Sequence, residues 1–169
     1  LDKVFSELAK PVSQCISVHS DLQIHIFDPN DGKDSYILVL LKPDDEQQKK
    51  VFTIRNPNQK ELAIWAYDGC TDLRLFEGDL VKSRCDAIAF NDREIVFAEL
   101  KLEGFSTGDY AVENTRKKAT TQLLASITVI FDHFAAKNME MPWSHFEAYV
   151  ATHPTFPRTG ASDKKLAAK

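Results

Sequence analysis

The chain has 169 residues, 43% hydrophobic and 27% charged, with a formal net charge of −4 at pH 7. That length suits one domain with a sizeable core needing no staples, and the balance is that of ordinary globular proteins. The acidity argues against a surface that grips nucleic acid everywhere, though not against a local basic groove.

Leu1–Lys10 carries apolar residues at helical spacing and Pro11 ends it. The alternation Leu22, Ile24, Ile26 within β-branched Val12–Phe27 predicts a strand from about Asp21. Asp28-Pro-Asn-Asp-Gly32 is a turn by its chemistry, and Ser35–Leu41 is a strand that closes a hairpin with the first. Lys42–Lys50 reads as a charged loop. Val51–Arg55 and Leu62–Tyr67 read as a second strand pair around the turn Asn56-Pro-Asn-Gln59, and Leu73–Phe76 as a further short strand. Two strands joined by a tight turn then span Cys85–Lys101. Gly104, Ser106, Thr107 and Gly108 mark a loop, and Asp109 stands where a helix N-cap belongs. Val112, Ala119, Leu123, Leu124, Ile127, Ile130, Phe131 and Phe134 predict a helix from about Tyr110 to Ala136. Met139–Ser144 is a loop, Phe146–Thr152 a strand that ends at His153-Pro154, and Thr159–Lys169 a polar, lysine-rich frayed tail.

No apolar run has bilayer-spanning length, and no N-terminal segment has the order of a signal peptide. Cys15, Cys70 and Cys85 are odd in number and scattered. This argues against a disulfide framework and a zinc site, and the expectation is a cytoplasmic protein without membrane contact.

The chemistry concentrates in Cys85–Lys101. Asp86 opens the first strand, and Glu99 and Lys101 close the second. Strand side chains alternate, so Glu99 and Lys101 share one face while Ala98 and Leu100 share the other. Two acids and a lysine at one sheet end suit a divalent metal and a phosphate. A hard ion such as Mg²⁺ prefers carboxylate and carbonyl oxygens and keeps several waters. On the helix, Lys118, Gln122 and Ser126 fall on one face. Arg116, Lys117 and Lys118 read as lying near its N-terminus, a place that favours phosphate. Against this stands the bland alternative of a solvated ion pair at a strand end.

Asp86, the twelve residues between it and Glu99-Leu100-Lys101, a loop, a helix bearing Gln122 and a following strand together resemble the PD-(D/E)XK nuclease superfamily. The resemblance covers roughly Glu77 to Phe156, and departs from the family where Cys85 replaces the proline before the Asp. It implies an α/β fold with a restriction-endonuclease-like core: a mixed central sheet flanked by helices, with a β-rich N-terminal region added. The single domain then divides into 1–76 (helix and β-rich), 77–156 (nuclease-like core) and 157–169 (flexible tail). It implies Asp86 and Glu99 as ligands of Mg²⁺, which Mn²⁺ can replace, with the Leu100 backbone carbonyl as a further ligand. Lys101 is the implied catalytic lysine and Gln122 the matching helix glutamine. The implied activity is endo- or exonucleolytic hydrolysis of nucleic acid, DNA first, by the chain alone, as a homodimer or with a partner protein.

His19, His25, His133, His145 and His153 lack metal-ligand spacing, and only His153 falls near the implied site. Trp65 and Trp143 read as core. Glu7 and Asp79 are weak competing acids, and Asp92 falls in the hairpin turn, facing away. A rival reading keeps the fold and drops the chemistry, giving an inactive binding, immunity or regulatory protein. A third reading is an unrelated β-rich interaction domain.

Overall fold

The computed structural model describes residues 15–29, 37–40, 42–68, 84–102 and 109–152. The predicted helix over 1–10, the strand over 73–76, Glu7, Asp79 and His153 lie outside them.

Among the described residues the strands are β1 (Ile16–His19), β2 (Gln23–Phe27), β3 (Leu38–Leu40), β4 (Val51–Arg55), β5 (Leu62–Ala66), β6 (Ala87–Phe90), β7 (Glu94–Lys101) and β8 (His145–Thr152), with one α-helix, α1 (Asp109–Ala136), and a 3-10 turn at Gln47–Lys50 within the expected loop. A five-stranded sheet has the order β1-β5-β6-β7-β8, and a three-stranded sheet the order β3-β2-β4. All neighbours are antiparallel except β7 and β8, which run parallel with α1 between them in the chain.

The large sheet is covered on both faces, which explains why β6 and β7 read as nearly continuous apolar runs. Helix α1 covers one face, where Leu123, Ile130 and Phe134 pack with Trp65, Ile88, Ile95 and Phe97. The small sheet covers the other, where Ile24 and Ile26 pack with Ile64, Ala87, Ala89, Ala98 and Leu100. The strand alternation sorts by size: bulky side chains meet the helix, and alanines let the second sheet approach. The result is a mixed α/β architecture of three layers.

Four expectations need correction. The expected flanking by helices holds on one face only; among the described residues the other face carries a β-layer. β1 is a strand that the sequence reading passed over. The turn after β4 exists, but β4 pairs with β2, and β5 pairs with β1 and β6. Finally, Cys15 is disulfide-bonded, while Cys85 is free and buried. Disulfides persist in oxidising compartments, so the cysteine argument for a reducing cytoplasm falls.

The end of the molecule around the β6–β7 turn is tightly built. Asn91 Oδ1 accepts the N–H groups of Arg93 and Glu94 at 2.8 and 2.9 Å. Helix α1 ends in a Schellman arrangement: Asn138 has φ of 52°, Met139 N–H donates to Phe134 O, and Asn138 N–H to Ala135 O, both at 3.0 Å. Trp143 then packs edge-on against Phe90 and Phe134 and donates its indole N–H to Asn91 O at 3.0 Å. The N–H groups of Ser144 and His145 both reach Arg93 O. β8 therefore starts at the turn and runs beside β7 to the other end of the sheet, where Lys101 is opposite Thr152. No helix among the described residues is long and apolar enough to cross a membrane.

Candidate active site

The register of one hairpin assembles the site. Ala87 is opposite Ala98 in the β6–β7 pair, so Asp86 and Glu99 are the next pair outward. Ile95 and Phe97 face the helix, and the alternation puts Glu99 and Lys101 on that face too. The Lys101 ammonium forms an ion pair with Glu99 Oε1. Glu99 has no exposed surface, and its Oε2 is buried without a hydrogen-bond partner. Asp86 is 8% exposed, and its Oδ2 accepts the Leu100 N–H at 2.5 Å. A strand residue directs its N–H and C=O toward the same neighbouring strand. The Leu100 carbonyl therefore faces the Asp86 side as well.

Both carboxyls are poised toward protonation. Burial pushes Asp86 up to about 6, against the lowering effect of the Leu100 N–H and of Lys101. Burial pushes Glu99 up to about 8; the Asp86 charge adds to the rise and Lys101 opposes it. Asp28 and Asp68 act as further like charges on Asp86, and Asp68 on Glu99. Asp68 is itself paired with Arg84.

The helix reaches this end through two side chains. Gln122 Nε2 donates to Arg84 O at 2.9 Å, and Ser126 Oγ accepts the Cys85 N–H at 2.8 Å while donating to Gln122 O at 2.9 Å. Gln122 Oε1 is buried without a hydrogen-bond partner. Lys118, Gln122 and Ser126 form one stripe running from exposed to buried. Residues 109–121 precede Gln122 in the helix, a length of roughly 20 Å at 1.5 Å per residue. Within that stretch Val112 and Ala119 are buried, Lys117 and Lys118 exposed, and Arg116 half-buried. The three basic residues lie in the second and third turns of α1. Asp92 is at the turn, at the opposite end of the hairpin, and Trp65 and Trp143 are core residues.

Several neighbours were not legible in the sequence. Buried Arg84 faces Asp68, Nε to Oδ1 at 3.7 Å. Asp68 reaches the site because β5 pairs with β6 and the Tyr67 N–H bonds to Asp86 O at 3.1 Å. Pairing β5 with β4 from their shared turn hid that approach. Cys85 is buried, and desolvation drives its thiol far up, which makes it an unreactive packing residue.

Among the described residues no group of three or more His, Cys, Asp or Glu side chains is arranged to hold a metal. Two carboxylates and a carbonyl, completed by waters, are nonetheless a sufficient set for Mg²⁺. The orphaned Glu99 Oε2 fits a cation ligand there. No protein-family model, curated protein or solved structure matches the chain.

Proposed function

We propose that this chain is a metal-dependent nuclease with a restriction-endonuclease-like core, hydrolysing phosphodiester bonds of nucleic acid, DNA first. The observation that carries the reading is Glu99. It is fully buried across from Asp86 and beside Lys101, with a carboxylate oxygen that no group among the described residues satisfies. The order of the elements supports it: an antiparallel hairpin, a helix bearing Gln122, and a strand returning parallel.

Asp86, Glu99 and the Leu100 carbonyl would hold Mg²⁺ or Mn²⁺. Such an ion supplies Lewis-acid polarisation of a phosphoryl oxygen and a bound water of lowered pKa. Lys101 holds its charge beside that position, where the phosphorane gathers negative charge. Lys117 and Lys118, exposed on α1, suit contacts to the phosphate backbone, with Arg116 beside them.

The test is cleavage of plasmid DNA, single-stranded DNA and RNA with Mg²⁺ or Mn²⁺, run beside Asp86→Ala and Lys101→Ala. Metal-dependent cleavage by the wild type, lost in both variants, supports the reading. No cleavage and no metal binding overturns it, and cleavage that survives both substitutions moves the chemistry elsewhere. One observation favours a second reading, an inactive nuclease fold kept as a binding or immunity protein: Glu99 already has an internal counter-ion in Lys101.

A further inference from the structure

The Arg84 carbonyl and the Cys85 N–H are the two polar ends of a single peptide group. Gln122 donates to the first at 2.9 Å and Ser126 accepts from the second at 2.8 Å. These two helix residues are one turn apart, and Ser126 is tied back to the Gln122 carbonyl. We propose that Gln122 and Ser126 are positioning residues that clamp the Arg84–Cys85 peptide plane and thereby fix the approach of Asp86 to Leu100. This deepens the nuclease reading and rests on it for its purpose, since it assigns Ser126 a role and gives Gln122 one that needs no contact with substrate.

A peptide group has a soft torsion on each side. A single hydrogen bond leaves it free to rock about that bond. Bonds at both ends, from a rigid helix, remove the freedom. Asp86 is the next residue but one after Arg84, so this plane fixes the backbone that leads into it, while the Tyr67 N–H on Asp86 O holds the far side at 3.1 Å. The clamp is buried: Ser126 and Cys85 have no exposed surface, and Arg84 is 6% exposed. Water is therefore poorly placed to substitute for either bond. Ser126 uses its hydroxyl both as donor to Gln122 O and as acceptor from Cys85 N–H, which holds its side chain in one rotamer. Metal ligands depend on such supporting bonds, whose removal typically weakens binding by roughly 10–100-fold.

The test uses Ser126→Ala and Gln122→Met in the full chain, with Thr121→Ala as control. Thr121 makes the same backward bond to its own helix, Oγ1 to Lys117 O at 2.9 Å, but is exposed. Circular dichroism confirms folding of each variant, and Gln122→Met, at a half-buried position, keeps the test available if Ser126→Ala misfolds. The first readout, without metal, is the Leu100 amide proton in a heteronuclear NMR spectrum, whose shift reports its bond to Asp86. It moves upfield in both variants and stays put in the control. An unmoved Leu100 signal in both folded variants overturns the clamp, whatever the metal does. The second readout is Mn²⁺ binding followed by electron paramagnetic resonance, with an expected weakening of about tenfold in both variants. Wild-type binding that both variants match overturns the positioning role. Absence of wild-type binding overturns the metal reading instead, and the Leu100 signal still judges the clamp.

Discussion

Leu100 gives its amide N–H to Asp86 across the β6–β7 pair at 2.5 Å, while the neighbouring residue, Glu99, faces the helix with one oxygen unsatisfied. The hydrogen bond selects the ionised form of Asp86, and burial opposes it. Asp86→Asn keeps an acceptor for Leu100 and removes the charge. It should fold with a near-normal melting temperature, lose Mn²⁺ binding, and lower Mg²⁺-dependent cleavage by at least about 100-fold, the upper range for a metal centre's ligand environment. Cleavage within a few-fold of wild type would remove Asp86 from the site.

Stability should fall as pH rises. Both carboxyls hold their protons more tightly in the folded protein than in the unfolded chain, Asp86 up to about 6 and Glu99 up to about 8. Above the unfolded values the folded state binds more protons, so the unfolding free energy declines with pH. The two groups interact and titrate as a pair. The metal-free melting temperature should therefore drop between about pH 5 and about pH 8. Mn²⁺ should raise it more at the alkaline end, because it binds the deprotonated ligands. A flat profile without metal would contradict burial as the cause.

Glu99→Gln separates stability from function. The amide avoids burying a charge and removes the repulsion with Asp86. At pH 8.5 the variant should melt at least about 3 °C higher than wild type, the order expected for 1 kcal/mol in a chain of this size. Its pH slope should be shallower and its metal binding lost. A lower melting temperature at that pH would show that the Glu99–Lys101 ion pair outweighs the desolvation.

Trp143 ties the helix end to the hairpin turn, far from the carboxylates. Trp143→Phe deletes the bond to Asn91 O and leaves that half-buried carbonyl short of a donor, at a cost of about 1 kcal/mol. Urea unfolding should show an earlier midpoint with an unchanged slope. Mn²⁺ affinity should match wild type; a tenfold loss would mean the two ends are coupled.

Thiol counting checks the cysteine assignment. Of three cysteines, Cys15 is disulfide-bonded and Cys85 is free and buried. Alkylation in denaturant followed by peptide mass spectrometry should label Cys85 without reductant, and Cys15 only after reduction. A label on Cys15 before reduction would refute the disulfide.

The hairpin and the helix were legible because their signals are local. Ala87-Ile88-Ala89-Phe90 alternates with period two, and the spacing from Leu123 to Phe134 follows a helix turn. Asp86, Glu99 and Lys101 converge for the same reason: a tight hairpin converts sequence distance into register. The second strand pair misled because turn chemistry specifies a reversal, not a partner. Asn56 does build a turn, its Oδ1 accepting Lys60 N–H at 3.1 Å and its Nδ2 donating to Lys60 O at 2.7 Å. Yet the strands on either side enter different sheets. β1 has only four residues, with its ends half-buried and its middle exposed, so no period marks it. Asp68 and Asp28 reach the site through non-local pairing, which no short window of sequence contains.

The turn end, with its asparagine cap, its indole bolt and the paired amides on Arg93, has a practical use. Asp92 is exposed at its tip, and the seven strand steps of β7 from Glu94 to Lys101, about 3.4 Å each, put roughly 24 Å between that end and the level of Lys101. A fluorophore or a surface tether at Asp92 would hold the molecule by a stiff handle and leave the carboxylate end facing solution. Single-molecule work on substrate capture could then be done without placing a label near the chemistry.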